Sequence, residues 1–133
     1  MLGTNPYARY RLMQVTTASP GQLLLMLYDG GIRFCREAGE ALQAGRLEES
    51  HRLLLKAQDI VEELRSTLNP DAGPIARNLD NLYEYMLRRL IEANIKKDAQ
   101  PAQEVAELLA GLREAWEQAV HAPGGARASG GQA

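Results

Sequence analysis

Apolar residues recur along this chain at i, i+3, i+4 and i+7, the spacing of one face of a helix, and no segment alternates with the period of two that marks a strand. Four long stripes stand out. The first holds Leu23, Leu24, Leu27, Gly31, Phe34, Ala38 and Leu42. The second holds Leu53, Ala57, Ile60, Val61, Leu64 and Leu68. The third holds Leu79, Leu82, Tyr83, Met86, Leu90 and Ala93, and the fourth Val105, Leu109, Leu112, Trp116 and Val120. Start and stop signals frame them. Ser19-Pro20-Gly21-Gln22 reads as a capping box with Pro at the first helical position, and Gly45 as the stop of the helix it opens. Asn69-Pro70-Asp71-Ala72-Gly73-Pro74 is a turn, Lys96 and Lys97 suit the negative end of the third helix, and Asp98 to Pro101 is a second break. The pattern predicts helices over 20–44, 47–68, 75–97 and 101–120. Ahead of them Asn5-Pro6 opens a short helix over 5–15 with Tyr7, Tyr10 and Met13 on one side.

Four helices of about 20 residues joined by short turns predict an all-α fold, an antiparallel four-helix bundle with a short N-terminal capping helix. The stripes form its core. Residues 1–121 make one domain, which suits a chain of 133 residues. Residues 122–133 carry four Gly and one Pro with no apolar side chain larger than Ala or Pro, which predicts a disordered tail.

Composition narrows the function. A net charge of -2 gives no global attraction to nucleic acid, and Arg88-Arg89 is too small a basic patch to change that. The pair reads instead as a solvated face near Glu84 and Glu92. No apolar run of about 18 residues exists, so no membrane insertion is expected. The first residues lack the charged and apolar regions of a secretory signal, and the single Cys35 is compatible with a reducing cytosol. Cys35 falls on the core face of its helix, which reads as a buried apolar residue.

Catalytic chemistry is not visible. Glu48-x-x-His51 has the spacing of a di-iron ligand pair, but such a site needs a second copy and two more inward Glu residues, and His51 lies off its core stripe. His51 also lacks the Lys three residues on that a phosphotransfer helix carries; Leu54 stands there. His121 sits at the end of the last helix. No phosphate loop and no Ser/His/Asp set appears. No enzyme activity, cofactor or metal is expected.

What the core stripes leave over is more informative. Leu25, Met26 and Ile32 on the first helix, Leu55 on the second, and Tyr85, Ile91 and Ile95 on the third lie off their stripes. Scattered surface apolar residues are one reading. A second apolar surface that takes a partner helix is the other, with the Tyr7, Tyr10 and Met13 face lying on it as a displaceable cap. A helix of that length is not stable alone in water and gains its order by packing.

Five segments carry a family resemblance: NPYARY at Asn5 to Tyr10, ASPGQLLLMLYDG at Ala18 to Gly30, KAQDIVEEL at Lys56 to Leu64, LYEYMLRRLIEANIKKD at Leu82 to Asp98 and EAWEQA at Glu114 to Ala119. In this order and at these separations the chain resembles the flagellar export chaperone FliS family over about residues 5–121. The resemblance implies an antiparallel four-helix bundle with a short helix packed on it. It implies a cytoplasmic chaperone without catalysis or cofactor. The implied client is the disordered C-terminal segment of flagellin, kept from premature polymerisation and escorted to a component of the flagellar type III export gate. The matching Tyr7 and Tyr10 imply a cap over part of the client groove. The free protein is expected to be a monomer or weak homodimer. Two rivals stay open on the residues alone: a structural or adaptor bundle whose off-core residues form a self-dimer, and a metal-binding or phosphotransfer bundle using His51.

Overall fold

The computed structural model describes residues 19–121, and these are helical with no strand among them. The elements are α1 (Pro20–Gln43), α2 (Leu47–Ser66), a 3-10 turn (Pro70–Ala72), α3 (Pro74–Lys96) and α4 (Ala99–His121). The expected N-terminal helix with Tyr7, Tyr10 and Met13, and the expected tail, lie outside the described residues.

Local chemistry sets the boundaries. The Gln22 amide donates to Ser19 Oγ at 3.2 Å, and the Ser19 amide donates to Gln22 Oε1 at 3.3 Å, so the capping box forms as expected. α1 ends in a Schellman turn: the Arg46 amide reaches the Ala41 carbonyl at 2.8 Å and the Gly45 amide reaches that of Leu42 at 3.2 Å. Gly45 takes φ 77° there, a conformation a side chain disfavours. α2 stops at Ser66, ahead of the expected Leu68. Ser66 and Thr67 hydroxyls donate to the carbonyls of Glu63 and Leu64, and the clash that Pro70 imposes on Asn69 keeps the chain extended there. α4 starts at Ala99, two residues early, because Asp98 Oδ1 accepts from the Gln100 amide and acts as the cap.

Each helix packs on two others: α1 on α2 and α4, and α3 on α2 and α4. α1 approaches its neighbours closely at Gly31, where an added Cβ would lie 3.0 Å from Leu109 Cδ1 and 3.1 Å from Ile60 Cγ2. Because α1 is covered from two sides, its buried face is wider than one stripe. Tyr28, Ile32, Cys35, Ala41 and Leu25 are all buried on it. This corrects the expectation that Leu25 and Ile32 lie off the core. Leu54, Leu87, Ala102 and Ala106 likewise join the core from outside the predicted stripes. Cys35 is fully buried, as its position suggested, and burial pushes its thiol up to about 12.

Candidate apolar binding groove

The stripes predict one evenly closed core, but the structure closes only part of it. Leu24, Leu27, Leu68, Leu79 and Trp116 pack against the core while staying partly exposed. They border an open groove of about 870 Å3, within the size range of ligand pockets. α1 contributes Pro20, Leu23, Leu24 and Leu27 to it. The end of α2 and the following turn contribute Glu63, Thr67, Leu68, Asn69 and Ala72. α3 contributes Ile75, Ala76, Leu79 and Tyr83, and α4 contributes Trp116. Ile75 is 74% exposed beside the groove, a large apolar side chain held in water.

The reason lies in helix ends. α2 stops at Ser66 and α3 begins at Pro74, so part of the groove beside the first turns of α1 is bordered by the 67–73 connection rather than by a helix. Sequence periodicity reports which face of a helix is apolar. It does not report whether a neighbour extends far enough to cover that face, which is why Leu23, Leu24 and Leu27 read as core.

Beneath the groove lies a polar cluster. The Tyr28 and Tyr83 hydroxyls share a hydrogen bond of 2.5 Å, and the Trp116 indole N–H donates to the Tyr28 oxygen at 3.0 Å. Burial raises the pKa of both tyrosines, so both stay neutral through the physiological range. Glu63 is the charged residue among the groove's described lining, and it makes no ion pair there.

The sequence-predicted surface residues fall in several places. Leu55 and Ile91 are 44% and 45% exposed, and Ile95 is 76% exposed. They flank the bond from Asn94 Nδ2 to His51 Nδ1 at 2.8 Å, since Leu55 lies one turn from His51 and Ile91 one turn from Asn94. With the exposed Leu47 they form an apolar strip on the α2–α3 seam, away from the groove. Met26 is half-buried. Tyr85 faces α4 and donates to Glu104 Oε2 at 2.7 Å. Arg89 reaches the same Glu104 at 2.6 Å and Glu92 at 2.7 Å, so it bridges two helices rather than serving as a solvated partner of its own helix alone. Between strip and groove, a more polar hollow of about 760 Å3 is crossed by the Arg65–Asp80 ion pair at 2.6 Å. His51 is exposed, and among the described residues no three His, Cys, Asp or Glu side chains converge as metal ligands. No helix among the described residues is long and apolar enough to cross a membrane.

The sequence family model described as "Flagellar protein FliS" matches residues 3–123. The chain belongs to the FliS family. It is 41% identical over 116 residues to the flagellar secretion chaperone FliS of Bacillus subtilis (strain 168), covering 87% of this chain and 86% of that protein. It is 40% identical over 119 residues to the protein of the same name in Salmonella typhimurium, covering 87% and 88%. A solved structure described as a flagellar chaperone from bacteria shares the fold with a TM-score of 0.73 at 23% identity, over 88% of this chain and 96% of that one. Membership in the FliS family matches the resemblance carried by the five sequence segments.

Proposed function

We propose that this protein is a cytoplasmic export chaperone for flagellin, and that it acts without catalysis or cofactor. It binds the disordered C-terminal segment of flagellin, prevents premature polymerisation and delivers the client to a component of the flagellar type III export gate. The observation that carries this reading is the apolar groove: the described residues leave a contiguous set of leucines, an isoleucine and a tryptophan partly open. The family name of its relatives supports it.

The mechanism is thermodynamic. A disordered apolar segment that folds as a helix on the groove loses the surface by which it pairs with other copies. Ordering that segment costs free energy, so the interface must be large, about 1,000–3,000 Å2 for segments that fold on binding. The groove alone is too short for such an area. Leu55, Ile91 and Ile95 on the α2–α3 seam extend the contact in our reading, with Met26 and Tyr85 at its margins. Release to a competing site requires no nucleotide.

In the same reading residues 1–121 form one domain, an antiparallel bundle, with 122–133 as a tail. Pairing of Arg65 with Asp80 and of His51 with Asn94 supports the opposite directions of α2 and α3. The N-terminal helix with Tyr7, Tyr10 and Met13 covers apolar surface in the free monomer and lifts for the client. Calorimetry with flagellin and with flagellin lacking its C-terminal segment tests the function. One-to-one binding to the first and none to the second is expected, and equal binding to both overturns the reading.

A further inference from the structure

The fourth helix is built in two unequal halves. Its first half buries Pro101, Ala102, Val105, Ala106 and Leu109. From Ala110 to Ala119 every residue is partly or wholly exposed, although the helix runs on to His121. Gly111 stands at the change. Its position is exposed, and a Cβ added there would meet nothing within 4 Å among the described residues. Packing therefore does not require a glycine, unlike at Gly31. A glycine inside a helix weakens it, because its backbone has the most freedom to regain on opening. The interior residue that favours helix least thus sits where burial ends.

Beyond Gly111 two polar ties, one turn apart, hold the helix to α1. Arg113 Nε donates to Asp29 Oδ1 at 2.5 Å, and the Trp116 indole donates to the Tyr28 oxygen at 3.0 Å. Leu112 and Trp116 add partly buried apolar contact. Both ties can part without orphaning a buried group. The side chains of Arg113 and Asp29 are 30% and 55% exposed, so each returns readily to water. The Tyr28 hydroxyl keeps its bond to Tyr83 when the indole leaves. Trp116 is the residue that α4 contributes to the groove, so parting the ties opens the groove on that side.

We propose that residues 111–121 form a hinged flap, latched to α1 by Arg113–Asp29 and Trp116–Tyr28, whose opening admits a helical client segment to the groove. Gly111 is the hinge. Both latch bonds are already made in the structure, so it represents the closed state, and the movement left to the flap is outward. The client binds the open fraction of molecules, and its apparent affinity scales with that fraction. Admission rests on the reading that the groove receives a client segment; the hinge does not.

Two substitutions outside the groove's lining move the flap in opposite directions. Gly111→Ala stiffens the hinge, and Asp29→Ala removes half of the latch. Hydrogen exchange of the full chain without client tests the hinge. Amides of residues 112–119 are expected to exchange about tenfold faster than those of 102–109, faster still in Asp29→Ala and more slowly in Gly111→Ala. Simple fraying of a helix end does not respond to a side chain on α1. Exchange unchanged by Asp29→Ala therefore overturns the latch, and equal protection of the two halves overturns the flap. Trp116 is the chain's one tryptophan, so acrylamide quenching of its fluorescence follows the same opening. Quenching should rise in Asp29→Ala and fall in Gly111→Ala, and the reverse order counts against the latch. Calorimetry with a synthetic peptide of the flagellin C-terminal segment tests admission. Gly111→Ala is expected to weaken the peptide about two- to fivefold, the helix preference of Ala over Gly acting through the open fraction. Asp29→Ala is expected to tighten it about two- to threefold. Tighter binding by Gly111→Ala, or affinity unchanged in both variants, overturns admission. If the unaltered chain binds no peptide, the functional reading fails and admission with it, while hydrogen exchange still decides the hinge.

Discussion

Around Cys35, Ala38, Ala57, Leu90 and Ala102 the core is sealed, with every one of these residues at 0% exposure. Around Leu24, Leu27, Leu79 and Trp116 side chains of equal or greater hydrophobicity remain half open. The difference is one of size more than of polarity. The sealed half is built on small residues: Ala38, Ala41, Ala57, Ala93 and Ala102 are all fully buried, and a Cβ added at Gly39 would lie 3.4 Å from Gln103 Cγ of α4. Small residues at a helix contact let the axes approach, and larger ones hold them apart. The open half carries Leu and Trp at the corresponding seams and ends at the 67–73 connection, so the described residues leave its gap unfilled. Hydrophobicity alone thus does not distinguish a stabilising surface from a binding one; coverage by the neighbouring helix does.

The largest contrast is expected from truncation. Leu90→Ala in the sealed half should cost about 2–5 kcal/mol in urea unfolding, as a cavity opens where nothing can collapse. Leu24→Ala beside the groove should cost less, about 1–2 kcal/mol, since part of its surface is already open. Equal costs would show that the two halves are packed alike. The glycines of α1 sharpen the point within one turn. Gly31→Val drives a branched side chain into Leu109 and Ile60 and should destabilise by about 1–3 kcal/mol. Gly30→Ala meets only Ile60 Cδ1 at 3.4 Å and should stabilise by up to about 1 kcal/mol through helix propensity.

In the open half the effect should appear in binding rather than in stability. Ile75→Asp places a charge on a side chain that is already 74% exposed. Stability should stay within about 0.5 kcal/mol of the unaltered chain. Affinity for the flagellin segment should fall about tenfold or more, because the carboxylate is desolvated beside the bound helix. Unchanged affinity in calorimetry would place the client elsewhere.

Alkali probes the sealed half through its thiol. Cys35 has a pKa raised by burial from 9.0 to about 12. The unfolded chain therefore loses this proton at lower pH than the folded one, and stability is complete below about 9 and falls as pH rises towards 12. Melting temperature should drop over this window, and less steeply in Cys35→Ala. Tyr28 and Tyr83, raised in the same direction, add to the decline in both proteins. The smallest effect concerns the end of α3. Lys97 is a non-glycine residue at φ 52°, a strained conformation, and its ammonium makes only an exposed bond to Asn94. Lys97→Gly should raise stability by about 0.5–1 kcal/mol in the same unfolding measurement.

The helices were legible because capping and stop residues act locally. Ser19 and Gln22 pair as their spacing requires, and Gly45 ends α1 as expected. The family was legible from residues such as Asn5 to Tyr10 and Leu82 to Asp98. The proposed binding surface was legible only in part. Leu55, Ile91 and Ile95 are exposed as the helical wheel indicated, while Leu25 and Ile32 are buried because α1 has neighbours on two sides. The groove was read as core, since the missing cover is a property of where α2 and α3 end. The hydroxyl cluster was invisible because Tyr28, Tyr83 and Trp116 come from three helices and meet only in space.

That last meeting also bears on the order in which the molecule assembles. The bond between Trp116 and Tyr28 joins positions 88 apart in sequence, whereas α1 and α2 are joined through a connection of only a few residues. Contacts that close long loops bear a larger entropic burden and tend to form after local ones. The α1–α2 hairpin is therefore the natural nucleus, and docking of the end of α4 on Tyr28 is the late step. The wall of the groove that carries Trp116 is then expected to arrive late on folding, after the α1–α2 pair has formed.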